Sequence, residues 1–277
     1  MANLFIKQAK MYVETRPSYP TEFIEFIASK TLGRHLAWDA GTGNGQAAFS
    51  LAKIFKDVVA TDTSEQQLSL APNLPNIRYQ QTPPTMSIDE LERHVASEST
   101  VDLVTIAQAL HWFDHPIFYE QVKRVLKKPN GVIAGWCYSE PEVNDAMDAV
   151  YSRVYKESAP YWAPQRKFVD YRYRTIDFPF EPVEGEDHTG PFQFEATRSM
   201  DLESYFTYIR SWSAYQTAGS KGVELLKEDV VKDFERAWGD DRTSQKIVRF
   251  PIYLRIGRVE RNRVKKESSR ASEFVSK

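Results

Sequence analysis

The segment Trp38-Asp-Ala-Gly-Thr-Gly-Asn-Gly-Gln46 decides the fold. It follows a short β-rich run at 35–39 and precedes an amphipathic stretch at 46–55, so it joins a predicted strand to a predicted helix. Its glycines let the backbone approach a ligand closely, and the amides at the start of the helix attract an anion. The segment therefore predicts a nucleotide-binding loop at the end of the first strand.

The spacing of these glycines tells against a nicotinamide dinucleotide. The usual fingerprint, G-x-G-x-x-G, would place its third glycine at position 46, where this chain has Gln46. Asp62 ends the second predicted strand 23 residues after Asp39, where a carboxylate can accept both hydroxyls of a ribose. Together the loop and this carboxylate predict an adenosyl ligand. The alternative interpretation is a tight turn followed by a helix that Asp62 caps.

From residue 20 to 138 the chain alternates amphipathic and β-rich segments, which is typical of an α/β fold built around a parallel sheet. Strands are predicted at 35–39, 57–61, 77–80, 101–107 and 131–138. Helices are predicted at 20–31, 46–55, 64–70 and 87–97 and from Pro116 onward.

The alternation weakens after residue 140. Residues 140–190 contain two helical stretches, a proline- and aromatic-rich segment and an acidic loop, and we interpret them as an inserted cap. A strand is predicted at 192–197, and a single helix from an Asp201 N-cap to about residue 216. Aromatic and aliphatic side chains occur on nearly every side of this helix, so we expect it to be buried on more than one face.

A strand with period-2 alternation is predicted at 248–256, and Pro251 favours an edge-like position for it. The residues from 261 to 277 are charged and serine-rich and are predicted to form a flexible tail. We therefore expect one domain over residues 1–260.

The composition limits the partners of the chain. In 277 residues, 36 Lys and Arg nearly balance 38 Asp and Glu, which tells against binding to bulk nucleic acid or to an anionic membrane. The single cysteine, Cys137, excludes an intrachain disulfide framework and fits a reducing compartment. The first ten residues do not resemble a secretory signal, and no stretch approaches a transmembrane span. These features predict a cytoplasmic protein with a small-molecule ligand.

Asp39-Ala-Gly-Thr-Gly-Asn-Gly45 resembles motif I of class I S-adenosylmethionine-dependent methyltransferases. Three further segments resemble the trans-aconitate-methyltransferase-like branch, which is related to the ubiquinone-biosynthesis type: 12–20, 107–114 and 201–216. The resemblance covers about residues 5–258. It implies a Rossmann-like, seven-stranded, mostly parallel sheet with the last strand antiparallel. Helices would lie on both faces, with the cap inserted after strand five.

The resemblance also assigns the cofactor site residue by residue. It implies that Asp39, Gly41 and Gly43 hold the methionine end of S-adenosylmethionine, that Asp62 holds its ribose and that Thr42 also binds the cofactor. Ala107 and Gln108 would line the cleft. Where the family often has an acidic residue for the adenine amino group this chain has Pro83, so we expect backbone groups from Thr82 to Met86 to take its place.

His111 lies just past the fourth predicted strand, where open α/β sheets bind ligands, and is the candidate catalytic residue. It could act as a base, donate a hydrogen bond to the substrate or simply pack beside Trp112. A carboxylate acceptor would need no base. His111 and His115 are four residues apart, but Pro116 places His115 before the helix, so no metal site is expected.

The candidate substrate-binding residues are Tyr12, Arg16, Tyr19, Trp112 and Arg210. Tyr12 and Tyr19 would belong to a lid segment at 1–20, whereas the two arginines could clamp an acidic substrate or form surface ion pairs. The predicted cap also contains a basic cluster, which we interpret as solvated: Arg166, Arg172 and Arg174.

These observations predict a methyltransferase that transfers a methyl group from S-adenosylmethionine to an oxygen nucleophile of a small molecule, with a carboxylate as the candidate acceptor. The rival is a protein on the same scaffold that transfers no methyl group and binds, cyclises or isomerises a ligand in the cap cavity. The departure at Pro83 motivates this rival.

Overall fold

The computed structural model describes residues 18–239 and 241–260. Their seven strands form one sheet in the order β3-β2-β1-β4-β5-β7-β6. The first five strands pair in parallel, and β7 is antiparallel to both of its neighbours. The predicted α/β, Rossmann-like sheet with an antiparallel last strand is confirmed.

The bounds of the elements agree closely with the alternation of the sequence. The strands are β1 Leu36–Ala40, β2 Asp57–Asp62, β3 Ile77–Gln81, β4 Leu103–Ala107, β5 Val132–Tyr138, β6 Phe192–Met200 and β7 Lys246–Arg258. The first five α-helices are α1 Thr21–Ser29, α2 Gln46–Leu51, α3 Glu65–Leu68, α4 Ile88–His94 and α5 His115–Val125. The others are α6 Asp145–Ser158, α7 Arg166–Asp170, α8 Leu202–Arg210, α9 Ser213–Ser220 and α10 Glu228–Trp238. Short 3-10 turns span Leu110–Trp112 and Ala159–Tyr161.

Helices cover both faces of the sheet. The evidence is that neighbouring residues of one strand, which point to opposite faces, belong to different hydrophobic clusters. Ala37 belongs to the cluster that includes α1 and α2, whereas Trp38 belongs to the cluster that includes α4 and α5. All seven residues of β5 are buried, as expected for a strand in the middle of a doubly covered sheet.

The predicted helix after Asp201 is two helices. Asp201 caps the first one as expected, since its side chain accepts the Ser204 amide at 2.8 Å. The helix ends at Arg210 because Trp212 adopts an extended backbone conformation and is buried. The Trp212 ring packs 5.4 Å from Tyr151 and 5.7 Å from Trp162. Burial of this indole against the segment after β5 therefore outweighs continuation of the helix.

The helices that follow β5 and those that follow β6 form one aromatic layer. Tyr151 of α6 contacts Tyr205 of α8 as well as Trp212. Tyr205 in turn contacts Phe234 and Trp238 of α10. The helices within 140–190 are therefore packed against elements from a later part of the chain.

The last strand is not at the edge of the sheet, contrary to the expectation from Pro251. β7 lies between β5 and β6, and β6 forms the edge. Pro251 pairs with Glu195 and accepts the Ser139 amide, just beyond the last β5 residue. The missing proline N–H faces Ser139, the residue after β5, so the proline interrupts the pairing only at the end of β5 and leaves β6 paired with β7.

Candidate functional site

The strand order reverses between β1 and β4, and a cleft of about 460 Å³ opens there at the carboxyl ends of the strands. Such a switch point is where open α/β sheets bind ligands. We call it the switch-point cleft. The lining residues come from β1, the glycine loop and the start of α2, from the ends of β2 to β4 and the segments after them, from α5, and from the residue Tyr19 before α1: Tyr19, Trp38, Gly41, Thr42, Gly43, Asn44, Gln46, Ala47, Thr61, Asp62, Thr63, Thr82, Pro83, Pro84, Met86, Ala107, Gln108, Ala109, Trp112, Phe113, Phe118 and Gln121.

The glycine loop has a backbone that only glycine adopts without strain. Gly41 and Gly43 have φ angles of +67° and +56°. A Cβ on Gly41 would lie 2.7 Å from the Ala109 Cβ, whereas a Cβ on Gly43 would meet no atom closer than the Gln67 Oε1 at 4.0 Å. Gly41 therefore permits close packing of the loop on the β4 end, and Gly43 keeps the cleft side of the loop open.

Asp39 lies beneath the loop and does not line the cleft. It is fully buried and accepts hydrogen bonds from the hydroxyls of Thr42 and Thr105 at 2.5 and 2.6 Å. Burial raises the pKa of its carboxyl to about 6, although the two hydroxyls partly oppose this shift. The Asp39 oxygens therefore hold the glycine loop in place, and the predicted contact of Asp39 with the cofactor stays a prediction.

Asp62, by contrast, lines the cleft at the end of β2. Its Oδ2 accepts the Gly43 amide and its Oδ1 accepts the Ser64 amide, both at 2.8 Å. A carboxylate offers about four lone-pair positions, so these two bonds leave acceptor sites for further donors. The same residue thus orients the glycine loop and presents negative charge to the cleft.

The wall opposite the glycine loop is mainly apolar and contains no acidic residue. Pro83 lines the cleft beside Thr82 and Met86. The Thr82 amide is already donated to the Asp62 carbonyl, and the Met86 carbonyl accepts the Gln121 amide at 2.6 Å. Gln121, on α5, is a cleft residue that sequence reasoning missed. Only the packing of α5 against the Met86 segment brings it there.

Gln108 connects the ends of β4 and β5. It has a left-handed φ of +56°, its amide donates to the Trp136 carbonyl at 2.8 Å, and its Oε1 accepts the Tyr138 amide at 2.8 Å. A non-glycine residue in this conformation is uncommon and is often found at functional sites. Its neighbour Ala107 also lines the cleft, so both predicted positions are placed there.

A second cavity, of about 240 Å³, adjoins the switch-point cleft through Gln108 and Trp112, which line both. We call it the side cavity. Its lining residues are Gln67, Gln108, His111, Trp112, Tyr138, Trp162, Ala163, Arg166, Ser211 and Ser213. The residues from 162 to 166 precede β6 and the two serines follow it, so both parts of the aromatic helical layer contribute.

His111 lines the side cavity and not the switch-point cleft. Its Nδ1 is 2.9 Å from the hydroxyl of the fully buried Tyr173. Burial lowers the pKa of His111 to about 3, and the nearby Arg166 charge acts in the same direction. The imidazole is therefore neutral near pH 7 and is a weak base.

The other predicted substrate-binding residues do not lie together in the structure. Tyr19 and Trp112 both line the switch-point cleft. Arg210 lines neither cavity and instead forms an ion pair with Glu203 at 2.6 Å. Tyr12 and Arg16 lie outside the described residues. Arg166, interpreted from the sequence as solvated, is the arginine that lines the side cavity.

His111 and His115 do not form a metal pair. The His115 Nε2 is 3.0 Å from the Leu110 carbonyl, while His111 contacts Tyr173. Within residues 18–239 and 241–260 no group of three or more potential His, Cys, Asp or Glu ligands is assembled. The same part of the chain contains no helix with the length and apolar character that crossing a bilayer requires.

The switch-point cleft fits an adenosyl sulfonium cofactor. Asp62 can accept both ribose hydroxyls, and the open face of Gly43 leaves room for the chain that bears the sulfur. Pro83, Met86 and Phe113 supply an apolar surface suited to a purine. S-Adenosylmethionine, when bound, supplies an electrophilic methyl group on a sulfonium.

Comparison with known proteins agrees with this geometry. A family model described as a methyltransferase domain matches residues 38–134. A Dictyostelium discoideum protein named as a methyltransferase is 34% identical over 261 residues, which cover 91% of this chain and 93% of that protein. A Saccharomyces cerevisiae protein named as an S-adenosylmethionine-dependent methyltransferase is 28% identical over 235 residues, covering 74% and 78%.

Among solved structures, one from Anaeromyxobacter dehalogenans, named as a type II methyltransferase, aligns with a TM-score of 0.76 at 30% sequence identity. The alignment covers 89% of this chain and 99% of that one. With the seven-stranded sheet and the switch-point cleft, these similarities show that the chain belongs to the class I S-adenosylmethionine-dependent methyltransferases and takes S-adenosylmethionine as its cofactor.

Proposed function

We propose that the chain methylates a carboxylate oxygen of a small molecule that binds in the side cavity. The observation that carries the proposal is that the side cavity adjoins the cofactor cleft and that none of the described residues lining it is a base that works near neutral pH. The resemblance of 12–20, 107–114 and 201–216 to the trans-aconitate-methyltransferase-like branch supports the same acceptor class.

The position of the side cavity suits an acceptor. Methyl transfer needs the nucleophile in line with the donor, so donor and acceptor must occupy connected spaces. Gln108 and Trp112 line both spaces, and the side chain of Gln108 is held by Tyr138. The chain contributes alignment and exclusion of water at this junction.

The chemistry of the side-cavity wall favours a nucleophile that arrives already ionised. His111 has a pKa of about 3, so it removes protons poorly from an alcohol or a phenol. Burial raises the pKa of the Cys137 thiol, and this cysteine lines neither cavity. A carboxylic acid is ionised at pH 7 because its ordinary pKa is about 4, so its methylation requires no base.

The proposal is tested by screening acceptors with S-adenosylmethionine labelled in the methyl group. The panel pairs each carboxylic acid with its amide and its alcohol. We expect label in the acids only, in a product that mild alkali cleaves as a methyl ester. Label in amides, alcohols or phenols, but not in acids, would refute the carboxylate assignment.

The rival function needs a separate measurement, namely calorimetric titration with S-adenosylhomocysteine. Binding without methylation of any acceptor would favour a non-transferring role for the cavity. Absence of binding would show that the scaffold lacks its usual cofactor.

A further inference from the structure

Arg166 is the charged residue of the side cavity. The other described residues that line it are aromatic, neutral polar or small, and His111 is neutral. The Arg166 side chain is only 18% exposed. Its charge is paired with Asp170, but a mostly buried guanidinium also requires partners for its remaining donors, because a buried donor without one is costly.

One edge of this guanidinium is held in place. Its Nε donates to the Tyr155 hydroxyl at 2.8 Å and to the Asp170 Oδ1 at 3.1 Å, and the same hydroxyl donates to Asp170 at 2.6 Å. The guanidinium carbon lies 4.4 Å from the centre of the Trp162 ring. The side chain is therefore oriented before any ligand binds.

Among the described residues the other edge has no hydrogen-bond partner, and Arg166 lines both the side cavity and a neighbouring cavity whose wall includes Glu140 and Asp148. Within residues 18–239 and 241–260, no residue accepts a hydrogen bond from the two terminal nitrogens of Arg166. Arginine presents these nitrogens as a planar fork that matches a carboxylate. Arg210 is different, because a terminal nitrogen of its guanidinium is paired with Glu203.

We propose that Arg166 is the anion-binding residue of the side cavity and holds a carboxylate of the acceptor through its terminal nitrogens. The inference rests on the proposed function in taking the side cavity as the acceptor site. The indoles of Trp112 and Trp162 line the same space, which suits a planar acid. Arg166 thus replaces Arg16 and Arg210 as the structural candidate for an acid clamp.

The test compares two ligands of similar shape, benzoate and benzamide, by calorimetry on protein saturated with S-adenosylhomocysteine. We expect the wild type to bind benzoate at least about tenfold more tightly than benzamide. Arg166→Gln is expected to lose this preference. Arg174→Gln is the matched control, because Arg174 is exposed, lies in the same segment and lines neither cavity, so its preference should be unchanged.

Two results would overturn the inference: a wild type that does not prefer benzoate, or an Arg166→Gln variant that keeps the preference. Should Arg166→Gln fail to fold, Arg166→Lys decides the question. Lysine keeps the charge but lacks the fork, so the preference should fall several-fold, and an unchanged preference would contradict the assignment.

Binding of benzoate requires no methyl transfer, which separates this inference from the proposed function. A failed acid screen with an intact, Arg166-dependent preference for benzoate would overturn only the proposed reaction. Methylated acids in the screen, with a preference that survives Arg166→Gln, would overturn only the role of Arg166.

Discussion

Asp39 and Asp62 flank the glycine loop, and their surroundings give them different tasks. Asp39 is sealed beneath the loop by Thr42 and Thr105, whereas Asp62 faces the cleft and keeps acceptor positions open. The sequence places both at strand ends, but only the structure shows that Asp39 is buried beneath the loop and that Asp62 lines the cleft. The role of Asp62 can be tested by ligand binding, and that of Asp39 by the pH dependence of stability.

Replacing Asp62 with alanine should weaken S-adenosylhomocysteine binding by about 10- to 100-fold. The loss combines the ribose contacts with the bond that orients the Gly43 amide. Calorimetric titration measures it, with Asp57→Ala as the control because Asp57 is exposed at the opposite end of the same strand. Equal affinities in the two variants would contradict the ribose assignment.

Replacing Asp39 with asparagine should change how stability depends on pH. Burial raises the Asp39 pKa from 3.8 to about 6, so the folded state binds more protons than the unfolded state between these values. The stability due to this carboxyl therefore falls as the pH rises through that window, by on the order of 3 kcal/mol. Urea unfolding at several pH values measures it.

In this comparison the free energy of unfolding of Asp39→Asn should improve relative to that of the wild type as the pH rises from about 4 to about 6. Curves that stay parallel would show that Asp39 does not titrate in this range.

His111 should leave the pH profile of methyl transfer to an acid without an inflection between about pH 6 and 8. Its pKa of about 3 lies well below that range, so its charge does not change there. The measurement is kcat/KM against pH for the wild type and for His111→Gln. An inflection near pH 6.5 that disappears in the variant would show that His111 acts as a base.

The arginines show where reasoning from sequence ends. The sequence makes Arg210 a candidate clamp for an acidic substrate, yet its guanidinium pairs with Glu203, seven residues earlier. Arg166 carries no local signal. Its place in the side cavity depends on Trp162, Tyr155 and Asp170, which only the folded insertion brings together.

At the scale of elements, hydrophobic periodicity and capping residues are enough to predict the bounds of a segment that packs only on the sheet. The predicted strands at 57–61 and 131–138 differ from β2 and β5 by one residue at one end. The prediction of one long helix after Asp201 is wrong because the burial of Trp212 depends on a segment from another part of the chain. The position of β7 inside the sheet could not be predicted from the sequence either, because Pro251 indicates only a local interruption of strand pairing.

The start of α2 gives a paired test of glycine. Gly45 has a φ of +79°, and a Cβ there would lie 2.6 Å from the Tyr79 hydroxyl. Gly45→Ala should therefore lower the free energy of unfolding by about 1–3 kcal/mol. Gly219, near the end of α9, has open space around it, so Gly219→Ala should raise stability by about 0.5 kcal/mol.

Denaturant unfolding of both variants checks the sign of each effect. A destabilised Gly219→Ala, or a neutral Gly45→Ala, would contradict the backbone geometry assigned to these positions.

At the scale of the whole molecule, Asp102 ties together segments far apart in sequence. It accepts the amides of His35 and Leu36 at 2.9 Å and the Lys127 ammonium at 2.6 Å. These bonds join the amino ends of β1 and β4 to the loop before β5, on the opposite edge of the sheet from the cleft. Such a carboxylate contributes to the global stability and not to the site.

Asp102→Asn should lower the free energy of unfolding at pH 7 by about 2–4 kcal/mol. The hydrogen bonds lower the folded-state pKa of Asp102, so its contribution is present above the ordinary carboxyl pKa and is lost as the pH falls through the folded one. Denaturant unfolding should show the deficit at pH 7 and a smaller one in strong acid. A difference in the free energy of unfolding between the variant and the wild type that does not change with pH would contradict the role assigned to the Asp102 charge.

Apart from Gln108 and Trp112, which line both, the two cavities are lined by different residues. The donor's cradle belongs to the glycine loop and the β2 end, while Trp162, Arg166, Ser211 and Ser213 belong to the aromatic helical layer. If the side cavity holds the acceptor, as proposed, a gene duplicate could exchange these four side chains and take a new acceptor without changing the residues that line the cofactor cleft.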